Sequence, residues 1–263
     1  MPGARRRRPR DVDLLLVATV TPDQGCPATA CLVQDRLGLS CPAADLNAAC
    51  AGFVYALVHA STYLLSGAGE LALVLGGECL SRVSNPKDVK TYPLLGDGAG
   101  AVLLARGGPD QGLLRFALGS DGSQAGVVGR KACGSRLPPT PEVLAKGLHY
   151  MHLDGHAVFT WAVNTLCDSI QEVLGAGGLG PGDVDLYVPH QANLRILRSA
   201  FAALGVPPEK VFTNLQRYGN TSAGSIPLAL DEAVAEGRVR PGDRVVLSGF
   251  GAGLAWGTAV FSW

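Results

Sequence analysis

Cys50 is the residue of this chain whose surroundings most favour nucleophilic chemistry. The segment after it, AGFVYALVHASTYLLSG, predicts a helix, so the thiol stands in or next to the first helical turn. Free backbone N–H groups and the helix dipole favour an anion there, which predicts a lowered thiol pKa. The same N–H groups can bind the oxyanion of a thioester under attack. An isolated cysteine is more often a buried structural residue, but the small neighbours in NAACAG leave room for an acyl group and favour the nucleophile.

Two polar side chains and one glycine-rich turn can complete such a site. His190, in VPHQANLRIL, follows a predicted strand and precedes a helix, and Asn220, in YGNTSAGS, precedes another helix. Loops after strands are the usual ligand sites of α/β proteins. GFGAGLAWG, residues 249–257, can present backbone N–H groups to a substrate. We expect the other histidines to lie on helical or loop faces in structural roles: His59, His149, His152 and His156.

The elements that position these residues form a repeat. Apolar strand-like runs alternate with helical stretches, which predicts an α/β fold with mostly parallel strands. DVDLLLVATV is similar to DVDLYVPHQANL, and their Asp13 and Asp185 are 172 positions apart. Gly52 and Gly224, and Val74 and Val246, have the same separation of 172. Three matches in one register predict two homologous halves.

The second half contains a strand and a helix that the first half lacks. The strand is expected at 113–120, and the helix in HAVFTWAVNTLCDSIQEVLGAGGL. If the symmetry is complete, about 60 residues of strand and helix are absent at the N-terminus. We therefore divide the chain into a basic disordered tail (1–10), an incomplete first half with Cys50 (11–112) and a second half with His190 and Asn220 (113–263).

Composition excludes several classes of protein. The 22 basic and 22 acidic residues give a net charge of zero, so no strong field attracts nucleic acid or an anionic membrane. The apolar runs are too short to cross a bilayer. The N-terminal segment MPGARRRRPR lacks the apolar core of a secretion signal. If this segment is not simply disordered, its arginines could bind an acidic partner. Seven cysteines without a C-x-x-C pair argue against disulfides and zinc and favour a reducing cytoplasm.

Five motifs in this order resemble the 3-oxoacyl-[acyl-carrier-protein] synthase III family of the thiolase superfamily: DLNAACAGFVYAL, LLGDGAGAVLLA, VPHQANLRIL, YGNTSAGSIPLAL and GFGAGLAWG. The resemblance extends from about Asp11 to Trp263. It implies a duplicated α/β/α/β/α fold whose first half here lacks its opening strand–helix segment. It also implies a cytoplasmic homodimer with no metal and no cofactor, and with acyl-CoA and malonyl-acyl carrier protein as substrates.

The resemblance assigns the catalytic roles to three residues. Cys50 would take the acyl group from acyl-CoA, with the N–H groups of Cys50 and Ala252 as the oxyanion hole. His190 and Asn220 would bind the malonyl thioester carbonyl as CO₂ leaves. The resulting carbanion would attack acyl-Cys50 and give a 3-oxoacyl product, which starts fatty-acid or polyketide synthesis.

The resemblance also assigns a substrate pocket (Cys26, Leu80, Leu95 and Phe250) and a carrier-protein docking surface (Arg195 and Arg198). The chain departs from the family at DVKT, where Val89 replaces a frequent arginine that contacts the CoA adenine. Cys26 and Leu95 are smaller than residues frequent in the family. They predict a wider pocket that accepts branched or longer primers.

Three other functions remain open at this point. The acyl group could pass from Cys50 to a hydroxyl or amine without decarboxylation, or the chain could be an inactive truncated copy or a silent heterodimer partner. The intact HQAN and GNTS motifs favour condensation. A cysteine hydrolase is less consistent with the sequence, because no carboxylate stands in a motif to orient His190.

Overall fold

Two four-stranded sheets with helices between and outside them organise the chain. The computed structural model describes residues 8–108 and 111–263. The helices are α1 (Thr29–Arg36), α2 (Gly52–Leu65), α3 (Pro141–Ala145), α4 (Gly155–Gly175), α5 (Leu194–Ala203), α6 (Leu215–Tyr218) and α7 (Ser225–Ala235). The strands are β1 (Leu14–Ala18), β2 (Ala43–Leu46), β3 (Leu71–Cys79), β4 (Asp97–Ala105), β5 (Gly112–Ser120), β6 (Val128–Arg130), β7 (Met151–Leu153), β8 (Leu186–Pro189), β9 (Arg244–Gly251) and β10 (Ala255–Ser262).

The two large sheets repeat one topology. In the first sheet, with strand order β2-β1-β3-β4, β1 is parallel to β3 and β3 is antiparallel to β4. In the second sheet, with order β8-β9-β10-β5, β8 is parallel to β9 and β9 is antiparallel to β10. The predicted duplication of an α/β unit is therefore confirmed.

The register of the repeat corrects one sequence match. Leu16 pairs with Val74 in the first sheet, and Val188 pairs with Leu247 in the second. Val74 therefore corresponds to Leu247 and not to Val246. Val74 and Leu247 both face the central core, whereas Val246 faces the outer helices. The second half therefore has one additional residue before β9. Because successive side chains of a strand point to opposite faces of the sheet, a shift of one residue moves a side chain from one face to the other.

Burial of apolar faces explains the layers. The α2 and α7 helices are apolar enough to be covered on both sides, and they fill the space between the sheets with Phe53, Leu57, Ile226 and Leu230. The α1 helix packs outside the first sheet, and α4 and α5 pack outside the second. The order is helix, sheet, helix, sheet, helix, as the resemblance implied.

The edges of the two sheets differ. In the second half, β10 pairs with β5, and α4 covers that part of the sheet. In the first half, the described residues place no strand beyond β4. Side chains of β4 accordingly alternate between exposed and half-buried, and Leu103 is 48% exposed. The described part of the first half thus lacks counterparts of β5 and α4.

The predicted tail and the boundary between halves are described only in part. Residues 1–7 of the predicted disordered tail lie outside the described residues. Pro9–Asp11 forms a one-turn 3₁₀ helix, and the Arg8 guanidinium pairs with the Asp11 carboxylate at 3.3 Å. Residues 109 and 110, beside the predicted boundary at 112, also lie outside the description, and β5 begins at Gly112.

The halves contact each other closely through glycines. A Cβ atom at Gly76 on β3 would lie 2.1 Å from the Ala223 carbonyl oxygen. A Cβ atom at Gly224 would lie 2.4 Å from the Gly98 carbonyl oxygen on β4. No side chain fits at either position, because real Cβ contacts are never this short. Strands of the first half therefore touch the turn that begins α7 in the second half.

Candidate active site

Cys50 lies in a one-turn 3₁₀ helix, Ala49–Ala51, between β2 and α2. The predicted helix begins at Gly52, so the thiol precedes the helix by one short turn. Ala49 has a φ of 47°, which is unusual for a residue with a side chain. Strain of this kind is typical of turns that must present a functional group.

The end of β9 packs directly on Cys50. A Cβ atom at Gly251 would lie 2.9 Å from Cys50 Sγ and 3.2 Å from the Cys50 nitrogen. A Cβ atom at Gly249 would lie 2.9 Å from the Cys50 carbonyl oxygen. The glycines of GFGAG thus allow the backbone of β9 to reach the thiol, and Ala252 is the first residue of the turn that follows β9.

Gly251→Ala is expected to displace Cys50. The added methyl would overlap the thiol, and overpacking of this kind costs about 1–3 kcal/mol of unfolding free energy. We expect a lower melting temperature and slower alkylation of Cys50 by iodoacetamide, measured by peptide mass spectrometry. Gly182→Ala is the matched control, because a Cβ atom there would meet nothing within 4 Å. Unchanged alkylation in Gly251→Ala would contradict the packing described above.

The electrostatics of Cys50 differ from the sequence expectation. The pKa of the Cys50 thiol is raised to about 11, mainly by burial; the Ser222 hydroxyl offsets part of this rise, and the negative charge of Glu78 adds to it. The expected lowering of the thiol pKa is therefore wrong for the protein without substrate. The loss of water around the sulfur outweighs the short 3₁₀ turn that precedes α2.

His190 follows the last residue of β8 and is 1% exposed. Its backbone N–H donates to the Ser248 carbonyl at 2.7 Å, which extends the ladder between β8 and β9. Its Nδ1 lies 2.6 Å from Ser225 Oγ, so Nε2 is the ring nitrogen left for a ligand. Burial lowers the pKa of His190 to about 3, so the imidazole is neutral at physiological pH.

Asn220 is held by its backbone and by its own side chain. Its N–H donates to the Leu94 carbonyl at 2.8 Å, and its carbonyl accepts from the Gly96 N–H at 2.9 Å. Asn220 Oδ1 accepts a hydrogen bond from the Ser222 N–H at 2.8 Å. With Oδ1 occupied, the Nδ2 amide group is the part of the side chain that can donate to a ligand.

A chain of contacts joins the three predicted residues. The Phe250 ring meets the His190 ring edge-on, with centroids 5.5 Å apart, and Phe250 stands between the two glycines that touch Cys50. The 3₁₀ turn that holds Cys50 also packs on the 3₁₀ turn Ser222–Gly224, which begins two residues after Asn220. The structure therefore brings one thiol and two neutral donors into one region, from loops of both halves.

The other predicted site residues have different surroundings. Leu80 is buried in the 3₁₀ turn after β3, and Leu95 forms a β-bridge with Asn220. Cys26 is exposed in the loop before α1. Arg195 and Arg198 are exposed on α5.

Of the remaining histidines, one departs from the expectation. His152 lies on strand β7 and not on a helical or loop face, and its Nε2 is 2.9 Å from the Gly126 carbonyl oxygen. His59 is on α2, where Nδ1 is 2.7 Å from the Tyr55 carbonyl oxygen, and His156 is in the first turn of α4. His149 lies in the turn before β7, where its ring contacts the Tyr150 ring at a tilt of 39°.

Sequence reasoning missed three polar residues of this region: Glu78, Ser222 and Ser225. The two serines lie within the YGNTSAGS motif, where Asn220 alone was selected. Glu78 shares a face of β3 with Ala72, Val74 and Gly76, and this face is buried. A carboxylate on the inward face of an apolar strand is a signal that alternation alone could have revealed.

Two negative findings concern metal ions and membrane spans. Within residues 8–108 and 111–263, no three His, Cys, Asp or Glu side chains lie close enough to share a metal ion. In the same ranges, no helix has the length and apolar composition needed to span a bilayer.

Comparison with known proteins agrees with this geometry. Residues 44–122 match the family model 3-Oxoacyl-[acyl-carrier-protein (ACP)] synthase III, and residues 174–263 match its C-terminal counterpart. The β-ketoacyl-[acyl-carrier-protein] synthase III of Symbiobacterium thermophilum is 50% identical, covering 97% of this chain and 78% of the relative. The enzyme of the same name from Rhodopirellula baltica is 48% identical, covering 96% of this chain and 79% of the relative.

A solved structure supports the fold independently. The crystal structure of 3-oxoacyl-[acyl-carrier-protein] synthase III from Aquifex aeolicus has a TM-score of 0.90 and 39% identity, and the match covers 97% of this chain and 78% of that one. Identity at this level over nearly the whole chain, together with a shared duplicated fold, establishes relationship. The chain belongs to the 3-oxoacyl-[acyl-carrier-protein] synthase III family.

Proposed function

We propose that this protein is an acyltransferase that condenses an acyl-CoA primer with malonyl-acyl carrier protein. The product is a 3-oxoacyl-carrier protein, and the reaction starts fatty-acid or polyketide synthesis. The observation that supports this proposal best is the grouping of one thiol with two neutral hydrogen-bond donors, Cys50 with His190 and Asn220.

In the first half-reaction, Cys50 is the nucleophile. Its sulfur attacks the carbonyl carbon of acyl-CoA, and the N–H groups of Cys50 and Ala252 bind the oxygen that becomes negative. The C–S bond to CoA then breaks, and CoA leaves as the free thiol after taking up the proton that Cys50 loses. The acyl group remains on Cys50 as a thioester. The contact between Gly251 and Cys50 supports Ala252 in this role, because it brings the turn to the thiol.

In the second half-reaction, His190 and Asn220 bind the thioester carbonyl of the malonyl group. The bond to the carboxylate breaks, CO₂ leaves, and its electron pair forms an enolate on the thioester. Neutral donors suit this step, because they stabilise the charge that develops on the oxygen. The enolate carbon then attacks acyl-Cys50, and the Cys50 thiolate leaves. The hydrogen bonds at His190 Nδ1 and Asn220 Oδ1 leave Nε2 and Nδ2 for this purpose.

The pocket and partners of this reaction are also proposals. Leu95 bridges to Asn220 and Phe250 packs on His190, whereas Leu80 and Cys26 are assigned to the acyl pocket by family resemblance. We infer a homodimer in the cytoplasm, where acyl-CoA is available and the seven thiols stay reduced. Neither a metal, a cofactor, a nucleic acid nor a membrane is needed for the proposed chemistry.

Arg195 and Arg198 are proposed to dock the acidic carrier protein. Both are exposed one turn apart on α5, the helix that follows the His190 loop. Replacing both with glutamate is expected to raise KM for malonyl-carrier protein about tenfold or more, because like charges slow association. The rate of acyl-Cys50 formation from acyl-CoA should not change. Arg36→Glu, an exposed site on α1, is the control, and equal KM values would remove the docking role.

The overall proposal is tested by incubating the protein with malonyl-carrier protein and one primer at a time. The primers are acetyl-CoA, isobutyryl-CoA and hexanoyl-CoA, which also test the predicted wide pocket. Mass spectrometry of the carrier protein should show the 3-oxoacyl product, with release of CO₂. An acyl adduct on the enzyme without CO₂ release would instead favour transfer to a hydroxyl or amine. A strict preference for acetyl-CoA would contradict the wide pocket.

A further inference from the structure

Glu78 is a buried carboxylate of β3 that the mechanism above does not use. It is 5% exposed and lies one residue before the end of the strand, on the buried face that it shares with Val74 and Gly76. Burying a carboxylate is costly unless hydrogen bonds replace the water that it loses. The residues that supply those hydrogen bonds therefore indicate what Glu78 holds in place.

The loop after β1 binds one side of the Glu78 carboxylate. Oε2 accepts hydrogen bonds from Thr19 Oγ1 at 3.2 Å, from Thr21 Oγ1 at 2.6 Å and from the Thr21 N–H at 3.1 Å. The Val20 N–H is shared, at 3.0 Å from Oε1 and 3.1 Å from Oε2. Burial raises the pKa of Glu78, and these hydrogen bonds oppose the rise. A set of donors of this kind is suited to an ionised carboxylate, which can only accept.

The loop after β1 is itself fixed to the first sheet. The Thr19 N–H donates to the Leu46 carbonyl at 3.1 Å, at the end of β2. The Cys79 N–H donates to Thr21 Oγ1 at 2.8 Å, and the Thr21 N–H donates to Thr19 Oγ1 at 3.0 Å. Both threonine hydroxyls accept an N–H and direct their own protons to Glu78. The first half of the molecule therefore holds this carboxylate firmly in one position.

Ser222, from the second half, binds the other carboxylate oxygen. Its Oγ donates to Glu78 Oε1 at 3.2 Å, and Ser222 is 3% exposed. The backbone N–H of the same serine donates to Asn220 Oδ1 at 2.8 Å. Ser222 has a φ of 48°, a region that residues with a side chain rarely adopt. The hydrogen bond to Glu78 stabilises this backbone, and this backbone directs the N–H at Asn220.

The direction of that N–H decides which end of the Asn220 amide meets a substrate. The Asn220 backbone is held separately, by its hydrogen bonds to Leu94 and Gly96. Its side-chain amide has one accepting end and one donating end. While the Ser222 N–H occupies Oδ1, Nδ2 is the end left to donate. If that N–H turned away, the amide would be free to rotate and to present its oxygen instead.

We propose that Glu78 is a positioning residue for Asn220 and acts through the Ser222 hydroxyl. Glu78 holds Ser222 in its left-handed conformation, and the Ser222 N–H then holds the Asn220 amide with Nδ2 toward the malonyl thioester. The inference rests on the proposed function of Asn220. Glu78 touches no substrate in this role and transfers no proton. Its loss should therefore slow decarboxylation and spare the acylation of Cys50.

The charge of Glu78 makes this separation sharper. Burial raises the pKa of the Cys50 thiol, and the negative charge of Glu78 adds to the rise. Removing that charge favours the thiolate. A variant without the carboxylate charge should therefore acylate Cys50 at least as fast as the wild type while it decarboxylates the malonyl group more slowly. A general loss of structure would slow both steps.

Three variants test the proposal. Glu78→Gln keeps the shape of the side chain but removes the charge and one accepting oxygen. Ser222→Ala removes the linking hydroxyl and keeps the N–H that binds Asn220. Thr19→Val is the matched control, because it removes a hydroxyl that donates to the same carboxylate at the same distance of 3.2 Å, but from the loop after β1.

Two measurements are made on each variant. The first is the single-turnover rate of CO₂ release when preformed acyl-Cys50 meets malonyl-carrier protein, beside the rate of acyl-Cys50 formation. The second is the mobility of the Asn220 side-chain amide, from nitrogen NMR relaxation of protein labelled at asparagine, with Asn220→Asp to assign the signal. The NMR measurement requires no substrate. It tests the inference even if the wild type releases no CO₂ and the proposed function fails.

We expect Glu78→Gln and Ser222→Ala to slow CO₂ release by about 10–100-fold, because a displaced group contributes much less to the transition state. Acyl-Cys50 formation should not slow in Glu78→Gln, and in Ser222→Ala it should change much less than CO₂ release. The Asn220 amide should become mobile in both variants. In Thr19→Val the amide should stay rigid and CO₂ release should keep its wild-type rate. The double variant should be no slower than the slower single variant, because the two residues act on Asn220 in sequence.

Three results would overturn the proposal. The first is an Asn220 amide that stays as rigid in Glu78→Gln and Ser222→Ala as in the wild type. The second is an equal loss of CO₂ release in Thr19→Val, which would exclude Ser222 as the specific link. The third is an equal slowing of both half-reactions with a matching fall in melting temperature, which would assign Glu78 a role in stability only. If Glu78→Gln does not fold, the comparison of Ser222→Ala with Thr19→Val decides.

Discussion

Cys50→Ala is expected to abolish the acyl-enzyme and to reduce condensation by at least about 10³-fold, because no other group can hold the acyl chain. The substitution removes one sulfur atom from an enclosed site, so the fold should persist. Intact-protein mass spectrometry after incubation with an acyl-CoA should show an acyl mass on the wild type and none on the variant.

The other cysteines supply the control for this experiment. Cys31 and Cys79 are exposed and have no role in the proposed mechanism, so Cys79→Ala should retain the adduct. An adduct that persists in Cys50→Ala would place the acyl group elsewhere and would contradict the proposed nucleophile. Peptide mapping of the wild-type adduct identifies the modified residue directly.

His190→Ala and Asn220→Ala are expected to separate the two half-reactions. Each removes one donor to the malonyl thioester, and the loss of one such donor typically costs about 10²–10³-fold in rate. Acyl-Cys50 should still form, because its oxyanion is bound by backbone N–H groups in the proposed mechanism. The acyl-enzyme should therefore accumulate in the presence of malonyl-carrier protein, and CO₂ release should fall.

Isosteric variants sharpen this test. Asn220→Asp keeps the shape and the backbone bridge to Leu94 and Gly96, but it replaces the donating amide with an acceptor. It should be as slow in decarboxylation as the alanine variant. Rapid decarboxylation in Asn220→Asp would show that the amide does not bind the developing enolate.

Most of the fold could be predicted from the sequence, and so could the grouping of Cys50 with His190 and Asn220, for identifiable reasons. The repeat of VDL motifs located β1 and β8, and the runs after Cys50 and Asn220 located α2 and α7. These predictions succeeded because alternation and helical periodicity depend on burial, which acts along the chain. The match of Val74 to Val246 was wrong by one residue, because the equivalent of Val74 is Leu247. A single inserted residue leaves the run of apolar residues intact in the sequence, but it changes which of them face the central core.

The electrostatics could not be predicted in this way. The position of Cys50 before a helix suggested a lowered thiol pKa, but burial from loops distant in sequence raises it to about 11. The Glu78 carboxylate is 144 positions away from Ser222, so no local motif joins them. Desolvation and long-range partners are properties of the assembled fold, and a sequence pattern reports only what is local.

The glycine contacts between the halves have an evolutionary consequence. Gly76 and Gly224 each face a carbonyl oxygen of the opposite half, with no room for a methyl group. After the duplication that produced the two halves, the outer faces were free to diverge, and the two halves now hold different outer helices. The inner seam, meaning the contacts of Gly76 and Gly224 with the opposite half, was not free to diverge. A substitution on one side of these contacts requires a simultaneous change on the other side. We expect sequence drift in this protein to concentrate on the outer layers and to spare the seam that holds Cys50, His190 and Asn220 together.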